Sequence, residues 1–325
     1  MRQVAIILIP LLALSTVSGC EWLRNLTGKS TTNPDKVDGP VVGKTKDELV
    51  GYLNQQASYL NSVRYPRVAI DIKAGKETHS LDNSNLICSK PRNFSLVGGK
   101  TVMSELVNIG SNSNEFWMYS RFPERTYVFC SHADFQRGSG SLPFPFDPDW
   151  ALQALGMSVY DPNLPYKVDN DQVNREHKLM FETLTPQNTT VSRVVVFASD
   201  PMGEKRPQVR RHLILDANKR TIAVAEVLEV TTLNAGRDRV TQKELFVQVP
   251  TRVKLEWPQQ QFTMDMKLRG AKINEGITDA EATELFTKPK FNDIQPVNLA
   301  NSQYTPSGIQ RGTMPSDLPP RKRRP

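Results

Sequence analysis

The chain has 325 residues, a hydrophobic fraction of 38%, a net charge of +7, three cysteines and four histidines. That length holds one large domain or two small ones, and the modest hydrophobic fraction reflects polar ends around a globular middle. Much of the positive charge sits at the very end, where Arg311, Arg321, Lys322, Arg323 and Arg324 face only Asp317, so nucleic-acid binding by the remainder has little support.

The chain opens with one charge, Arg2, and then the apolar run VAIILIPLLAL over residues 4–14. A permanent membrane span takes about 20 apolar residues, so this run is too short. It fits the apolar region of a secretory signal peptide. A buried N-terminal helix is the competing reading, disfavoured by Pro10 and the Ser/Thr/Gly stretch after Leu14. The run leads to Val17-Ser18-Gly19-Cys20, which resembles the lipobox of bacterial lipoproteins. That resemblance implies loss of residues 1–19 and acylation of Cys20, which anchors the protein to a membrane through buried methylenes. By the enterobacterial pattern, a residue other than Asp after the cysteine, here Glu21, implies the outer membrane, facing the periplasm. Residues 20–44 show no sustained period and are expected to be a lipidated flexible tether reaching roughly 25–30 Å.

Cys88 and Cys130 remain. An exported location permits disulfides. A bond between them closes a loop of about 42 residues and stabilises by about 4 kcal/mol in the chain-entropy model. Two buried free thiols are the alternative, and both stay open at this point.

The first regular element is TKDELVGYLNQQASYLNSV. Thr45 and Glu48 have capping-box spacing, and Leu49, Leu53, Ala57 and Leu60 form one apolar stripe, predicting an amphipathic helix of about 18 residues. After Tyr65 the period changes to two. Val68, Ile70 and Ile72 alternate with polar residues, as do Val253, Leu255 and Trp257, and then Phe262, Met264, Met266 and Leu268. These are half-buried strands. Less regular strands are expected near 78–88, 92–98, 101–110, 115–121, 126–131, 177–184, 191–198, 208–216, 220–231 and 240–249. Short turns between several of them predict antiparallel neighbours. Two helices interrupt the pattern: one in SLPFPFDPDWALQALGM, capped by Asp147 or Asp149, and one in ITDAEATELF, capped by Thr278 or Asp279. From Thr287 the chain turns rich in Pro, Asn, Ser and Thr, and residues 291–325 are expected to form a disordered basic tail. The fold class is therefore mainly β (α+β), a single curved antiparallel sheet of about ten or more strands.

The order of parts is similar to a known family. A Lys-Pro-Arg turn sits in NLICSKPRNFSLVGG, an Asn/Ser/Gly turn precedes Phe-Trp-x-Tyr in VNIGSNSNEFWMYSRF, and VPTRVKLEWP precedes the last long strand and a short acidic helix. Across residues 45–290 this resembles the LolA/LolB-like superfamily of lipoprotein carriers, including its outer membrane lipoprotein-sorting-like branch. The resemblance implies an unclosed β-barrel of about eleven strands with helices as a lid over a hydrophobic cavity. It implies binding of acyl chains of lipid or lipoprotein, no cofactor and no covalent chemistry. The chain departs from the soluble carriers in its own anchor and its basic tail, which favours a membrane-bound role over shuttling. Trp117, Tyr119, Phe129, Phe144, Phe146, Trp150, Trp257 and Phe262 are the candidates for cavity wall and lid. Each one alone reads first as core packing. Phe144, Phe146 and Trp150 stand out because Pro-bracketed aromatics do not suit a regular strand.

Catalytic patterns are missing on spacing. GPVVGKT has three residues between its glycines where a phosphate-binding loop has four, and SLVGGKT lacks the first glycine. His79, His132, His177 and His212 are scattered, with no metal-ligand spacing. No nucleophile motif is present. Asp147 and Asp149 read as helix caps before they read as an acid/base pair. The Arg321–Arg324 end is either a solvated end or a contact for anionic envelope components. Two functions compete: a lipid- or lipoprotein-binding envelope protein, and a structural or protein-binding lipoprotein whose core is filled.

Overall fold

The computed structural model describes residues 41–101, 103–121, 125–137, 148–185, 188–199 and 208–301. The signal-peptide stretch, Cys20, Phe144, Phe146, Asp147 and the basic end lie outside the described residues. All described residues belong to one unit, Pro40–Pro325.

Helix α1 spans Lys46–Ser58, and its capping box forms as expected. Glu48 N donates to Thr45 Oγ1 at 3.3 Å, and Thr45 N donates to Glu48 Oε2 at 2.9 Å. The helix has 13 residues rather than about 18. Asn274 ends it: its amide donates to Tyr59 O at 2.8 Å while its oxygen accepts from Asn61 N at 2.8 Å. That clamp turns the chain into the first strand, and Leu60 joins the sheet's core instead of the helix stripe. The expected tether also stops short of residue 44. Val41 is buried, and its backbone exchanges two hydrogen bonds with the Gln172 side chain, at 2.9 and 3.0 Å.

The sheet holds fifteen strands among the described residues. The first meander contains β1 (Ser62–Ala74), β2 (Glu77–Ser89), β3 (Asn93–Lys100), β4 (Met103–Ser111), β5 (Glu115–Ser120) and β6 (Thr126–Ser131). The second contains β7 (Lys167–Asp171), β8 (Glu176–Leu184), β9 (Thr190–Ala198), β10 (Val209–Leu215), β11 (Thr221–Arg237), β12 (Glu244–Trp257) and β13 (Phe262–Arg269). Consecutive strands pair antiparallel within each meander, and β1 joins the two by pairing with β13. A two-residue β14 (Lys272–Ile273) also pairs with β1, and β15 (Val297–Asn298) adds parallel to β6. The path ends at β15 and at β7, so the sheet is open.

This is the curved, unclosed architecture that the resemblance implied, with more strands than about eleven. Relative to the thirteen strands read from the sequence, the additions are β7 and the two-residue strands, while the expected strands 240–249 and 253–257 are one strand, β12. Pro250 sits opposite Val230 where the β11–β12 register shifts. A residue without an N–H is tolerated at such an irregularity.

The alternation read from the sequence marks the inner face. Val68, Ile70, Ile72, Val253, Leu255, Trp257, Met264, Met266 and Leu268 are all buried in the largest core. The short helices α2 (His132–Gln136) and α3 (Pro148–Ala154) follow β6. α3 lies on this core through Trp150, Ala151, Leu152, Ala154 and Leu155. Its end is a Schellman cap: Gly156 takes φ +76°, Met157 N donates to Leu152 O at 3.0 Å, and Gly156 N donates to Gln153 O at 2.9 Å. Helix α1 covers the inner face of β8 and β9, where Leu49, Val50 and Leu53 meet Leu179, Val195 and Phe197.

The stretch from 287 to 301 is not free of the domain. Helix α4 (Asp279–Leu285), capped by Thr278, delivers buried Phe286. Phe291 then stacks on Tyr119 at 4.1 Å, Arg125 pairs with Asp293 at 2.6 Å, and Leu299 is buried. The expected boundary of the β-domain at 290 therefore moves to at least 301.

Candidate binding site

The candidate aromatics fall on two faces of the sheet. Trp150, Trp257 and Phe262 share the inner face: Trp150 meets Trp257 edge-on at 5.9 Å, and Trp257 meets Phe262 at 5.6 Å. Trp117, Tyr119 and Phe129 do not line the interior. They form a separate outer cluster with Tyr127, Phe291 and Ile294. Strand alternation forces this, because Phe116, Met118 and Val128 occupy the inner face of β5 and β6. The sequence shows two apolar faces on β5 because the 286–301 segment covers the second one. Lys288 adds an ion pair to Glu115 at 2.9 Å and stands 3.3 Å from the centre of the Phe129 ring. Trp117 needs Gly110 opposite it: a Cβ there would lie 2.2 Å from the indole, whose Nε1 donates to Asn108 Oδ1 at 2.7 Å.

Cys88 and Cys130 are both buried and not joined in a disulfide, so of the two readings left open the structure carries two separate thiols. The register explains it. Cys88, Phe94, Ser111, Phe116 and Cys130 form one row across β2 to β6. Four strand spacings amount to about 19 Å along the sheet, while a disulfide needs Cα atoms within about 7 Å. Burial pushes both thiols above their ordinary pKa.

Under α3 lies a wholly apolar void of about 30 Å³. Leu86, Phe94, Leu96 and Ile109 line it from the first meander, and Val253, Leu255, Trp257, Met264 and Met266 from the second. Ala151, Ala154 and Leu155 of the α3 segment close it. A ligand-sized pocket is about 300 Å³ or more, so the helix fills most of the space the sheet encloses.

A second cavity of about 50 Å³ opens between α1 and α3. Ala154 and Leu155 line both this cavity and the inner void. Its wall includes Tyr160 and His212, which are 5% and 4% exposed. Asn54 fixes the Tyr160 backbone through two hydrogen bonds, at 2.7 and 2.8 Å, and thereby ties α1 to the loop after α3. Tyr160 Oη and His212 Nδ1 have no hydrogen-bond partner among the described residues. Burial lowers the His212 pKa to about 4 and raises that of Tyr160. Sequence reasoning set His212 aside with the scattered histidines. The signal was its place in RRHLIL, where His212 and Ile214 alternate inward.

The remaining charged candidates are paired. Asp149 pairs with Arg92 of the Lys-Pro-Arg turn at 3.0 Å. Buried Glu176 accepts two bonds from Arg211, at 2.6 and 2.7 Å. His132 Nε2 lies 2.9 Å from Asn112 O. Among the described residues no group of three His, Cys, Asp or Glu side chains is placed to hold a metal ion.

No family model matches the chain, and no curated protein matches it. Solved structures with a similar course of chain include one from Vibrio parahaemolyticus described as an outer membrane lipoprotein-sorting protein domain. It has 6% identity and a TM-score of 0.47, over 74% of this chain and 98% of that one. A LolA superfamily protein from Nitrosomonas europaea has 12% identity and a TM-score of 0.39, over 74% and 97%. A DUF1329 family protein from Desulfovibrio piger has 12% identity and a TM-score of 0.38, over 76% and 100%.

Proposed function

We propose that this protein is a non-enzymatic envelope lipoprotein that takes an acyl chain of a lipid or lipoprotein into the interior of its open sheet. One observation carries the reading: the interior under α3 is wholly apolar, and it shares Ala154 and Leu155 as lining residues with the cavity beside it. Helix α3 acts as the lid. It is short, Pro148–Ala154 with Gly156 in its cap, and a chain entering past Leu155 takes its place against Leu96, Leu255 and Met266. Acylated Cys20 holds the domain at the outer membrane, facing the periplasm. In a pocket of this kind, affinity comes from apolar area removed from water, about 25 cal/mol per Å².

A second reading has its own observation. The void measures only about 30 Å³, as in a filled core that serves structure or protein contacts. Amide hydrogen exchange of the full chain with and without decane separates the two. Lid displacement predicts that decane binds and that amides of residues 151–156 exchange faster in its presence. A filled core predicts no binding and no change.

A further inference from the structure

We infer that the cavity between α1 and α3 seats the uncharged polar head of an acyl ester, with Tyr160 and His212 as its hydrogen-bonding partners and the tail passing Leu155 into the interior. This rests on the acyl-chain reading above and specifies the ligand class.

Three features of the cavity point to the head. First, Tyr160 Oη and His212 Nδ1 are buried in its wall with no partner among the described residues. Buried polar atoms left unpaired cost free energy, and nearly all such groups in folded proteins have partners. Second, the cavity is lined by no Asp, Glu, Lys or Arg among the described residues. A phosphate or carboxylate drawn in there would lose its hydration with no countercharge in the lining, Arg193 acting on the Tyr160 hydroxyl only from outside it. Third, Leu53, Val227, Val230 and Pro250 line it together with Ala154 and Leu155, which also line the apolar void. A molecule matching all three has an uncharged ester or hydroxyl at one end and an aliphatic chain at the other. The His212 ring, held neutral by burial, donates or accepts at Nδ1, and the Tyr160 hydroxyl does both, which suits an ester carbonyl beside a glycerol hydroxyl.

A free glyceride and the acylated N-terminus of a lipoprotein share this chemistry. The test measures equilibrium binding to the full chain of decane, decanoate at pH 8, 1-monodecanoylglycerol and an N-acetylated didecanoylglyceryl-cysteine peptide. The inference expects either ester to bind about tenfold or more tighter than decane or decanoate, the tighter of the two naming the source. Tyr160→Phe and His212→Phe should each weaken ester binding by about three- to tenfold, the worth of one hydrogen bond. Unchanged decane binding in both variants shows that they remain folded. Esters and decane binding alike in the wild type, or variants that keep the ester preference, would overturn the inference and leave the acyl-chain reading in place. Failure of decane and both esters to bind overturns that reading as well.

Discussion

Gly110 and His212 show how single positions carry this fold. Gly110 faces Trp117 across β4 and β5 so closely that any side chain displaces the indole. Gly110→Ala is expected to destabilise the domain by about 1–3 kcal/mol through overpacking, read as a lower urea midpoint. An unchanged midpoint would mean the indole moves aside freely, against its bond to Asn108. His212 gives a pH signature. Burial holds its folded pKa near 4, against 6.5 for an ordinary imidazole. Between these values the unfolded chain binds the extra proton, so stability is full above about pH 6.5 and declines as pH falls toward 4. His212→Gln should remove about 2–3 kcal/mol of the stability difference between pH 7 and pH 4.5, measured by urea unfolding. A variant with the wild-type slope would place the dependence on other groups. Residue type and alternation put His212 on the inner face in advance. Its lack of a partner was not readable, because that depends on what three other elements bring around it.

Elements with a strong period were legible, and those set by a distant partner were not. The capping boxes at Thr45 and Thr278 are local, and both form. The strict alternations over 68–72, 253–257 and 262–268 named the inner face residue by residue. The end of α1 was not legible, because Asn274, more than two hundred residues away, decides it. Nor were β14 and β15, since two residues have no period. The sequence places residues 291–301 in a tail because the composition from Thr287 onward is that of a loop. The packing of the 286–301 segment rests on a few large contacts: Phe286, Phe291 on Tyr119, and Lys288 on Phe129. Phe291→Ala is expected to cost about 2 kcal/mol of stability, less than a full core truncation since Phe291 is only partly buried. It should also raise binding of a hydrophobic dye, as Tyr119 and Tyr127 become accessible. A variant with wild-type stability and no added dye binding would mean the segment is not part of the domain.

At the scale of the whole molecule, the β1–β13 pairing joins the two meanders into one sheet with an apolar inside. The sequence signalled that sheet through its period. It also proposed a cavity wall of eight aromatics, of which Trp150, Trp257 and Phe262 lie on the inner face. Trp117, Tyr119 and Phe129 fall on the other face, because β5 is apolar on both sides and its pattern does not say which side is in. The interior is apolar and nearly full, so the account turns on whether α3 yields to a ligand. Native mass spectrometry of the full chain, purified from its own envelope, tests this most directly. The account predicts a bound acyl lipid at close to one per chain, beyond any acyl groups on Cys20, released when the protein is unfolded. A folded chain that carries no such lipid and takes up none from decane or glyceride would contradict it.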